Sequence, residues 1–373
     1  MLDLKKQHSR IREELDAAIA GVMDSCRFIN GPQVGEFAAS LAAYTGARYA
    51  VPVGNGTDAL QIALMALGLN PGDEVIVPAF TYIASAEVIA LLGLTPVMVD
   101  VDYDSFNTTA DNIQRAITRA TRAIIPVHLF GQSCPMEGIL DLAREHRLHV
   151  IEDNAQSIGA RYTFSDGTVR QTGTMGTFGC ISFFPTKNLG CMGDGGIIIS
   201  DDQTKAQRAQ LIAAHGQSTK YFHDIVGCNS RLDTLQAAVL SVKLRYLDEC
   251  TARRQRAAEV YDEGLRGVKG ITTPRRMKYS THVFHQYTLK VAGGQRDGLR
   301  QFLADNGVQS MVYYPRPLQR QQAFRGIARY GDNLEVSEQL CGEVLSIPMH
   351  PELTVDEQNY VIEKIKEYAA EHL

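Results

Sequence analysis

A single lysine lies among turn-forming residues between two apolar runs of the chain. Residues 181–184 are typical of a buried strand, Pro185 ends that strand, Lys187 follows, and residues 197–200 form the next strand. Gly190 and the glycines after it allow close approach of the backbone. A lysine buried in such a turn loses its proton readily because burial disfavours the ammonium form. The free amine is then a nucleophile toward carbonyl carbons.

Two upstream stretches supply an acid and a place for an anion. An apolar strand ends at Glu152 and Asp153, and since side chains alternate across a strand, only one of the two carboxylates should face a ligand crevice. Asp153 is the kind of carboxylate that pairs with the pyridinium nitrogen of pyridoxal phosphate. Residues 54–58, Gly-Asn-Gly-Thr-Asp, open a helix whose N-terminus can hold a phosphate through Gly56 and Thr57. Lysine, acid and phosphate site together predict a pyridoxal phosphate enzyme.

Two more side chains are placed to contact such a cofactor. Residues 78–82, Pro-Ala-Phe-Thr-Tyr, follow a strand-like run, and ligands of open α/β sheets bind at the carboxyl ends of strands. Tyr82 is better placed there than Phe80 to stack on a planar ring, and Ser182 can donate to the phosphate. Each feature alone has an ordinary alternative: an exposed hairpin for Lys187, a plain helix cap, core packing of the aromatic ring, and a serine satisfied by backbone.

The elements that must position these residues alternate in type along the chain. Short apolar runs at 75–77, 97–99, 124–127 and 150–151 are separated by helical patterns. This alternation indicates βαβ units and a largely parallel sheet covered by helices on both faces. The fold class predicted for the chain is therefore α/β.

The two ends of the chain add helices and a second unit. One amphipathic helix is predicted over residues 4–26, a long helix begins after Arg231, and a strand is predicted at 309–314. We divide the chain into a large domain, 1–245, which includes the N-terminal helix, and a second part, 246–373. The second part holds a connecting helix and a small α/β domain of ordinary size for one core.

Composition excludes several other classes of protein. The 373 residues carry a formal net charge of −5, and no basic patch or acidic tail suggests binding to nucleic acid. The N-terminus lacks the apolar core of a signal peptide, and no apolar run is long enough to cross a membrane. The 7 cysteines are scattered without a Cys-x-x-Cys pair, which argues against disulfides or a zinc site. We expect a cytoplasmic protein without a metal.

Several ordered motifs together resemble one known family. They are Gly-Asn-Gly-Thr-Asp-Ala-Leu, Pro-Ala-Phe-Thr-Tyr, Ile-Glu-Asp-Asn-Ala-Gln, Ser-Phe-Phe-Pro-Thr-Lys-Asn-Leu-Gly and Gly-Asp-Gly-Gly. This set resembles the DegT/DnrJ/EryC1/StrS aminotransferases, pyridoxal phosphate enzymes of fold type I that aminate nucleotide-linked keto sugars. The resemblance covers essentially the whole chain. It implies a large domain with a mostly parallel, seven-stranded type of sheet covered by helices and a smaller C-terminal α/β domain.

The resemblance also implies a role for individual residues. Lys187 would bind the cofactor covalently and Asp153 would pair with its ring nitrogen, so these two are the implied catalytic residues. Gln156 would contact the ring hydroxyl, and Tyr82 would cover the ring face. The implied phosphate contacts are Gly56, Thr57, Ser182 and, from the neighbouring subunit, Asn229. A contact supplied by a second subunit implies a homodimer with active sites shared across the interface.

One departure from the family concerns the substrate side. Many relatives have His-Tyr-Pro where this chain has Tyr313, Tyr314 and Pro315, so a histidine that contacts substrate is replaced by Tyr313. Among family members the chain looks most like the UDP-2-acetamido-2-deoxy-3-oxo-glucuronate aminotransferases, which implies that acceptor and L-glutamate as donor. A uronic acid carboxylate favours a guanidinium partner, and Arg231 and Arg316 are the candidates. For Arg231 the alternative is an ion pair with a nearby acid such as Asp233 or Glu249.

Other functions remain open at this level. A neutral dTDP- or UDP-linked 3-keto or 4-keto 6-deoxy sugar is an alternative acceptor, and the Tyr313 change would fit a different ring substituent. A sugar dehydratase on the same scaffold is disfavoured because such relatives are implied to have histidine where this chain has Lys187. A dimeric regulatory or binding paralogue without catalysis is disfavoured because every cofactor position is filled. The pathway implied by the preferred acceptor is the biosynthesis of surface polysaccharide such as lipopolysaccharide.

Overall fold

Strands rich in valine and isoleucine build the larger of two main sheets in the computed structural model, which describes residues 1–331 and 333–373. In chain order, the strands of all the sheets are β1 (Tyr49–Val53), β2 (Glu74–Pro78), β3 (Thr95–Val99), β4 (Thr121–Ile124), β5 (His149–Asp153), β6 (Arg161–Thr163), β7 (Val169–Gln171), β8 (Phe178–Ser182), β9 (Gly196–Ser200), β10 (Gln217–Thr219), β11 (Phe222–His223), β12 (Ile271–Thr272), β13 (Tyr287–Val291), β14 (Arg329–Tyr330) and β15 (Val344–Ile347).

Helices connect and cover these strands. The helices are α1 (Leu4–Ser9), α2 (Arg12–Ser25), α3 (Pro32–Thr45), α4 (Gly56–Leu67), α5 (Ala84–Leu91), α6 (Ala110–Gln114), α7 (Met136–Glu145), α8 (Gln203–Ala213), α9 (Thr234–Leu244), α10 (Leu247–Gly264), α11 (Arg296–Asp305), α12 (Glu335–Glu343) and α13 (Val355–His372). Short 3-10 turns lie at Leu129–Gly131, Leu318–Arg320 and Gln322–Phe324. Within the described ranges, no helix is both long and apolar enough to span a bilayer.

The larger sheet has the strand order β1-β9-β8-β5-β4-β2-β3-β14. Its strands pair in parallel except around β9, which runs antiparallel to both β1 and β8. The α/β class and the mostly parallel sheet predicted from sequence are confirmed. Because parallel strands end at the same edge, the carboxyl ends of β2, β5 and β8 meet there.

A smaller antiparallel sheet has the order β12-β13-β15, its strands contact α11 and α12, and α13 packs on α10 and α11. Its strands and helices share one apolar core, which includes Tyr261, Leu289, Leu345 and Ile365. The two-residue strand β14 also comes from this half of the chain but joins the edge of the larger sheet beside β3. The proposed division at residue 245 therefore leaves one short strand of the second part in the sheet of the large domain, and the division stays a proposal.

Three element predictions were wrong in detail. Residues 4–26 form two helices, α1 and α2, and Arg10 at the break forms ion pairs with Glu249 and Glu352 at 2.9 and 3.0 Å. Residues 309–314 form an isolated bridge, between Met311 and Ser346, instead of the predicted strand, and Pro315 prevents the pairing from continuing beyond them. The apolar run at 181–184 is also not all strand, since β8 ends at Ser182.

Two further boundaries differ from those predicted. The strand predicted at 124–127 ends at Ile124, the last residue of β4. The long helix after Arg231 is interrupted between α9 and α10, where Arg245 and Tyr246 contact Glu14 of α2. Neither difference moves a candidate site residue.

Candidate active site

A cavity of about 600 Å³ opens where β2, β5 and β8 end and α4 begins. The structure brings nine of the predicted site residues to its walls, namely Gly56, Thr57, Tyr82, Asp153, Gln156, Ser182, Lys187, Tyr313 and Tyr314. They come from distant parts of the sequence, and the parallel sheet gathers them because its strands end at one edge. A larger groove of about 1040 Å³ between α10 and α13 is lined by residues such as Arg253, Glu263 and Lys366, none of which is a predicted site residue.

Lys187 lies in the loop that joins β8 to β9. Its backbone N–H donates to the carbonyl of Phe184 at 2.8 Å, and the next side chain, Asn188, donates to the carbonyl of Val283 at 3.0 Å. The Lys187 amine has no hydrogen bond to any described residue. Burial lowers the pKa of Lys187 to about 8, although the charge of Asp153 opposes this change. About a tenth of the amine is therefore unprotonated at pH 7, far more than for an exposed lysine.

Asp153 ends β5 and is only 6% exposed. Its Oδ2 atom accepts a hydrogen bond from the Ser85 hydroxyl at 2.7 Å, and Oδ1 accepts one from the backbone N–H of Ala155 at 3.1 Å. Within the described part of the chain, no basic side chain forms an ion pair with it. A buried carboxylate without a cation is costly, so this geometry fits a ligand that brings a positive charge.

Glu152 points to the opposite face of the same strand. Its carboxylate accepts hydrogen bonds from the backbone N–H groups of Gly173, Met175 and Gly176 at 2.6–2.7 Å. It also contacts His128 Nε2 at 2.8 Å, and because His128 Nδ1 accepts from a backbone N–H, Nε2 is the protonated nitrogen and donates to Glu152. Glu152 is thus fully satisfied inside the protein. The prediction that only one of the adjacent carboxylates faces the crevice is confirmed.

The N-terminus of α4 forms the anion corner of the cavity. Asn55 caps the helix by accepting from the N–H of Asp58 at 2.8 Å, while the N–H groups of Gly56 and Thr57 have no acceptor among the described residues. A Cβ at Gly56 would lie 2.5 Å from the Cβ of Ser182, so only glycine lets the serine approach this closely. Two unpaired N–H groups, a helix dipole and a serine hydroxyl match the chemistry of a phosphate site.

Aromatic rings and an amide form the remaining wall. Tyr82 is 58% exposed and its ring lies 6.3 Å from that of Tyr314, whereas Phe80 is buried in the core. The preference for Tyr82 over Phe80 as the cavity residue is therefore consistent with the geometry. Gln156 donates to the Tyr314 hydroxyl at 3.2 Å and accepts from the N–H of Phe130 at 2.8 Å, which fixes the amide.

Three predicted residues lie outside this cavity. Asn229, Arg231 and Arg316 are exposed and do not line it. In the described part of the chain Arg231 forms no ion pair with Asp233 or with Glu249, which instead pairs with Arg10 and Arg253. The alternative interpretation of Arg231 as a structural ion pair thus has no support in the geometry.

Two residues of the site were missed in the sequence. Ser85 contacts Asp153, and its only signal was its position one helical turn after Thr81 at the end of a strand. His285 lines the cavity, but its sequence context, followed by Gln-Tyr-Thr-Leu-Lys-Val, indicated only the start of a half-buried strand. Neither could be assigned without the packing that brings β13 and α5 next to the cavity.

Comparison with known proteins adds family evidence to this geometry. A model described as the DegT/DnrJ/EryC1/StrS aminotransferase family matches residues 9–366. A protein of Geobacillus stearothermophilus named pleiotropic regulatory protein is 45% identical over 99% of this chain and 98% of its own length. A Pseudomonas aeruginosa protein named UDP-2-acetamido-2-deoxy-3-oxo-D-glucuronate aminotransferase is 44% identical over 94% of this chain and 95% of its own.

A solved structure gives the same result for the fold. The structure described as S. venezuelae DesV in complex with a ketimine intermediate has a TM-score of 0.94 and 41% identity to this chain. The similarity covers 99% of this chain and 97% of that one. The arrangement of elements and the sequence motifs thus agree over nearly the full length of both proteins.

Proposed function

The chain belongs to the DegT/DnrJ/EryC1/StrS aminotransferase family, and on that premise we propose that it transfers an amino group from L-glutamate to the keto carbon of a nucleotide-linked sugar. As a family member it is a pyridoxal phosphate-dependent aminotransferase. The observation that carries the proposal is one cavity in which the Lys187 amine has no hydrogen-bond partner, and the buried Asp153 no ion pair, among residues 1–331 and 333–373.

The residues of the cavity fit pyridoxal phosphate group by group. The free N–H groups of Gly56 and Thr57, with the hydroxyl of Ser182, hold the phosphate. Asp153 holds the proton on the ring nitrogen, Gln156 contacts the ring hydroxyl, and Tyr82 covers the ring. When bound, the cofactor supplies an electron sink for the carbon at which the amino group is exchanged.

Lys187 has two tasks in this proposal. Its amine would hold the cofactor covalently, and when free it would move the proton at the reacting carbon. Desolvation favours both tasks because it keeps part of the amine unprotonated near neutral pH. A group already positioned at the reacting atom contributes about 10²–10⁴-fold through proton transfer.

A second copy of the chain completes the site in this proposal. Asn229 and Arg231 are exposed and do not line the cavity of their own chain, which supports a role for them at the site of a neighbouring subunit. They follow the hairpin of β10 and β11, where Tyr221, Phe222 and Val226 are 68–87% exposed. Large exposed apolar side chains next to these polar residues support a symmetric dimer interface.

For the acceptor we propose UDP-2-acetamido-3-oxo-glucuronic acid. A relative named for that substrate is 44% identical over nearly its whole length. Among the described residues Arg231 has no ion pair, and Arg316 lies exposed just after the cavity residues Tyr313 and Tyr314, so both guanidinium groups are candidates to recognise a carboxylate. The enzyme would then serve the biosynthesis of a surface polysaccharide.

A neutral keto sugar is the second candidate. A relative named dTDP-3-amino-3,4,6-trideoxy-alpha-D-glucose transaminase, 41% identical over 99% of this chain, is named for a sugar without a carboxylate, and Tyr313 would fit a different ring substituent. A purely regulatory role is not favoured, although one relative carries a regulatory name, because the lysine, the acid and the phosphate corner are all present.

A half-reaction assay tests the proposal. The enzyme is first converted with L-glutamate, which must change its visible absorbance, and is then mixed with UDP- and dTDP-linked keto sugars. We expect the fastest return of the original spectrum with the UDP-linked keto uronic acid. A faster return with a neutral keto sugar would replace the acceptor, and no spectral change with glutamate would reject the donor.

A further inference from the structure

His285 is a buried imidazole in the wall of the same cavity. It is 7% exposed and precedes β13 in a segment held by several backbone hydrogen bonds. The N–H of Val283 donates to Gly131 at 2.8 Å, and Arg254 donates to the carbonyl of Phe284 at 3.0 Å. Asn188, next to Lys187, donates to the carbonyl of Val283. The position of His285 relative to the lysine loop is therefore fixed by the fold.

Neither ring nitrogen of His285 has a hydrogen-bond partner within the described chain. Its Nδ1 atom is buried and unsatisfied, and Nε2 makes no hydrogen bond either. By contrast, the buried rings of His128 and His282 each accept a backbone N–H at Nδ1. Buried polar groups are almost always paired, so an unpaired one in a cavity wall points to a ligand that pairs with it.

The surroundings of His285 restrict the charge of that ligand. Burial shifts the pKa of His285 well below its usual value, and the nearby charges of Lys187 and Arg254 lower it further. The ring is therefore neutral and offers one donor and one acceptor. A hydroxyl or an amide has the same combination, whereas a carboxylate would use only the donor and gain no charge attraction.

We propose that His285 binds a neutral polar group of the nucleotide sugar, a hydroxyl or the acetamido group. This inference rests on the proposed function. Within that function the cofactor's phosphate, ring nitrogen and ring hydroxyl already have partners in the α4 N-terminus, Asp153 and Gln156. The Lys187 amine, although close, forms no hydrogen bond with the ring. The sugar is the remaining ligand that brings neutral donors and acceptors into this cavity.

Binding of an unreactive nucleotide sugar tests this inference. The probe is UDP-N-acetylglucosamine, which has the hydroxyl and acetamido groups but no keto carbon, and its Kd is measured by calorimetry on the holoenzyme. We expect His285→Leu to weaken binding about three- to tenfold, the usual loss for one neutral hydrogen bond. His285→Gln, which keeps a neutral donor and acceptor, should restore binding to within about twofold of the parent.

The chain offers a matched control in His350. Its ring is also 7% exposed and its Nδ1 also lacks a partner, but it does not line the cavity. His350→Leu should leave the Kd unchanged while producing a similar change in thermal stability. All variants should retain the cofactor's visible absorbance. Reduced cofactor retention in His285→Leu with an unchanged Kd would overturn the inference, because His285 would then serve the cofactor.

Different results would contradict the proposed UDP-sugar substrate and the proposed role of His285. If the parent enzyme binds no UDP-N-acetylglucosamine, the UDP-sugar substrate is rejected together with the inference. If the parent binds the probe and His285→Leu binds it equally well, only the role of His285 is rejected. Should the leucine variant not fold, the ¹⁵N imidazole resonance of His285 in the parent gives a second readout. That resonance must shift on addition of the probe, and an unchanged resonance overturns the inference.

Discussion

The wall of the cavity and the segment at residues 217–231 differ in whether their polar side chains have hydrogen-bond or ion-pair partners within the same chain. In the wall, Asp153 has Ser85 and Ala155, Gln156 has Phe130 and Tyr314, and the orientation of each side chain is fixed before any ligand binds. In the segment, Asn229 and Arg231 are exposed side chains without an ion pair to the described residues. The cavity wall is therefore fixed by contacts within one chain, whereas the side chains of Asn229 and Arg231 are left exposed.

This difference separates the chemical half of the proposed site from its substrate half. The side chains with roles at the cofactor converge because strands of one sheet end together, which a single chain achieves alone. Arg231 and Arg316, the side chains proposed for the sugar carboxylate, are exposed and do not line the cavity, and Arg231 follows the exposed apolar residues of the hairpin. We infer that most side chains proposed for the cofactor, and His285 at the sugar, belong to one chain, whereas the contacts proposed for Asn229 and Arg231 depend on a second.

Loss of Lys187 should lower the activity more than any other change in the chemical half of the site. Lys187→Ala removes the attachment point and the proton carrier together, so we expect turnover to fall by at least about 10²–10⁴-fold, with the fold retained. The measurement is steady-state transamination together with thermal unfolding. Lys269→Ala, a change at an exposed lysine, is the control and should keep full activity. Repeated turnover by Lys187→Ala would refute the assignment.

Asp153→Asn should give the next largest loss. The amide keeps the shape but removes the charge that holds the ring proton, and we expect kcat to fall about 10²–10³-fold with little change in stability. Its neighbour Glu152 provides the contrast, since it is buried away from the cavity and accepts hydrogen bonds from several backbone groups. Glu152→Gln should therefore lower the free energy of unfolding by about 2–3 kcal/mol. If Asp153→Asn and Glu152→Gln had equal effects on stability and on kcat, the assignment of different roles to the two carboxylates would be wrong.

Arg231→Ala tests the substrate half of the proposed site directly. Loss of one charge-assisted contact should raise the KM for the keto uronic acid about 10- to 100-fold and leave the half-reaction with glutamate unchanged. Arg300→Ala, at an exposed arginine of α11, is the matched control. Mixing Arg231→Ala with Lys187→Ala subunits should restore activity, because one site of the mixed dimer then has both residues. Failure of such mixtures to recover activity would contradict the shared site.

The pH dependence of cofactor attachment tests whether the lysine is desolvated. Since the pKa of Lys187 is lowered to about 8, the fraction of free amine rises with pH up to that value and then levels off. Well below pH 8 the rate at which the apoenzyme takes up pyridoxal phosphate should fall about tenfold per pH unit. Visible absorbance after mixing measures this rate. A rate that keeps rising toward pH 10, as for a free lysine side chain, would mean that Lys187 is solvated.

Ser85→Ala should give the smallest effect. It removes the hydrogen bond that orients Asp153 through Oδ2. We expect the loss of this bond to raise the activation free energy by about 0.5–1.5 kcal/mol, which lowers kcat roughly two- to tenfold. The pH titration of the cofactor's absorbance should shift as well. Ser337→Ala removes a similar buried bond, to Asp100, outside the cavity and should change stability alone. Identical kinetics in the two variants would show that Ser85 has only a structural role.

The sequence by itself determined the fold class and the chemical half of the candidate site. Alternation of apolar runs with helical patterns predicts the parallel sheet, and a residue at the end of such a strand must lie at its carboxyl edge. The places of Asp153, Ser182 and Lys187 next to those ends follow from local pattern alone. The motif Gly-Asn-Gly-Thr before a helical run likewise locates the anion corner through the chemistry of helix N-termini.

Only the tertiary structure decided which other side chains join the site. His285 and Ser85 reach it because separate elements pack beside the same sheet edge, and no local pattern records such long-range neighbours. The ends of β8 and of α1, and the isolated bridge formed by residues 309–314, also depend on contacts with residues distant in sequence. Exposure of Arg231 was equally undetermined, because a residue's spacing in sequence does not specify which surface the folded chain leaves uncovered.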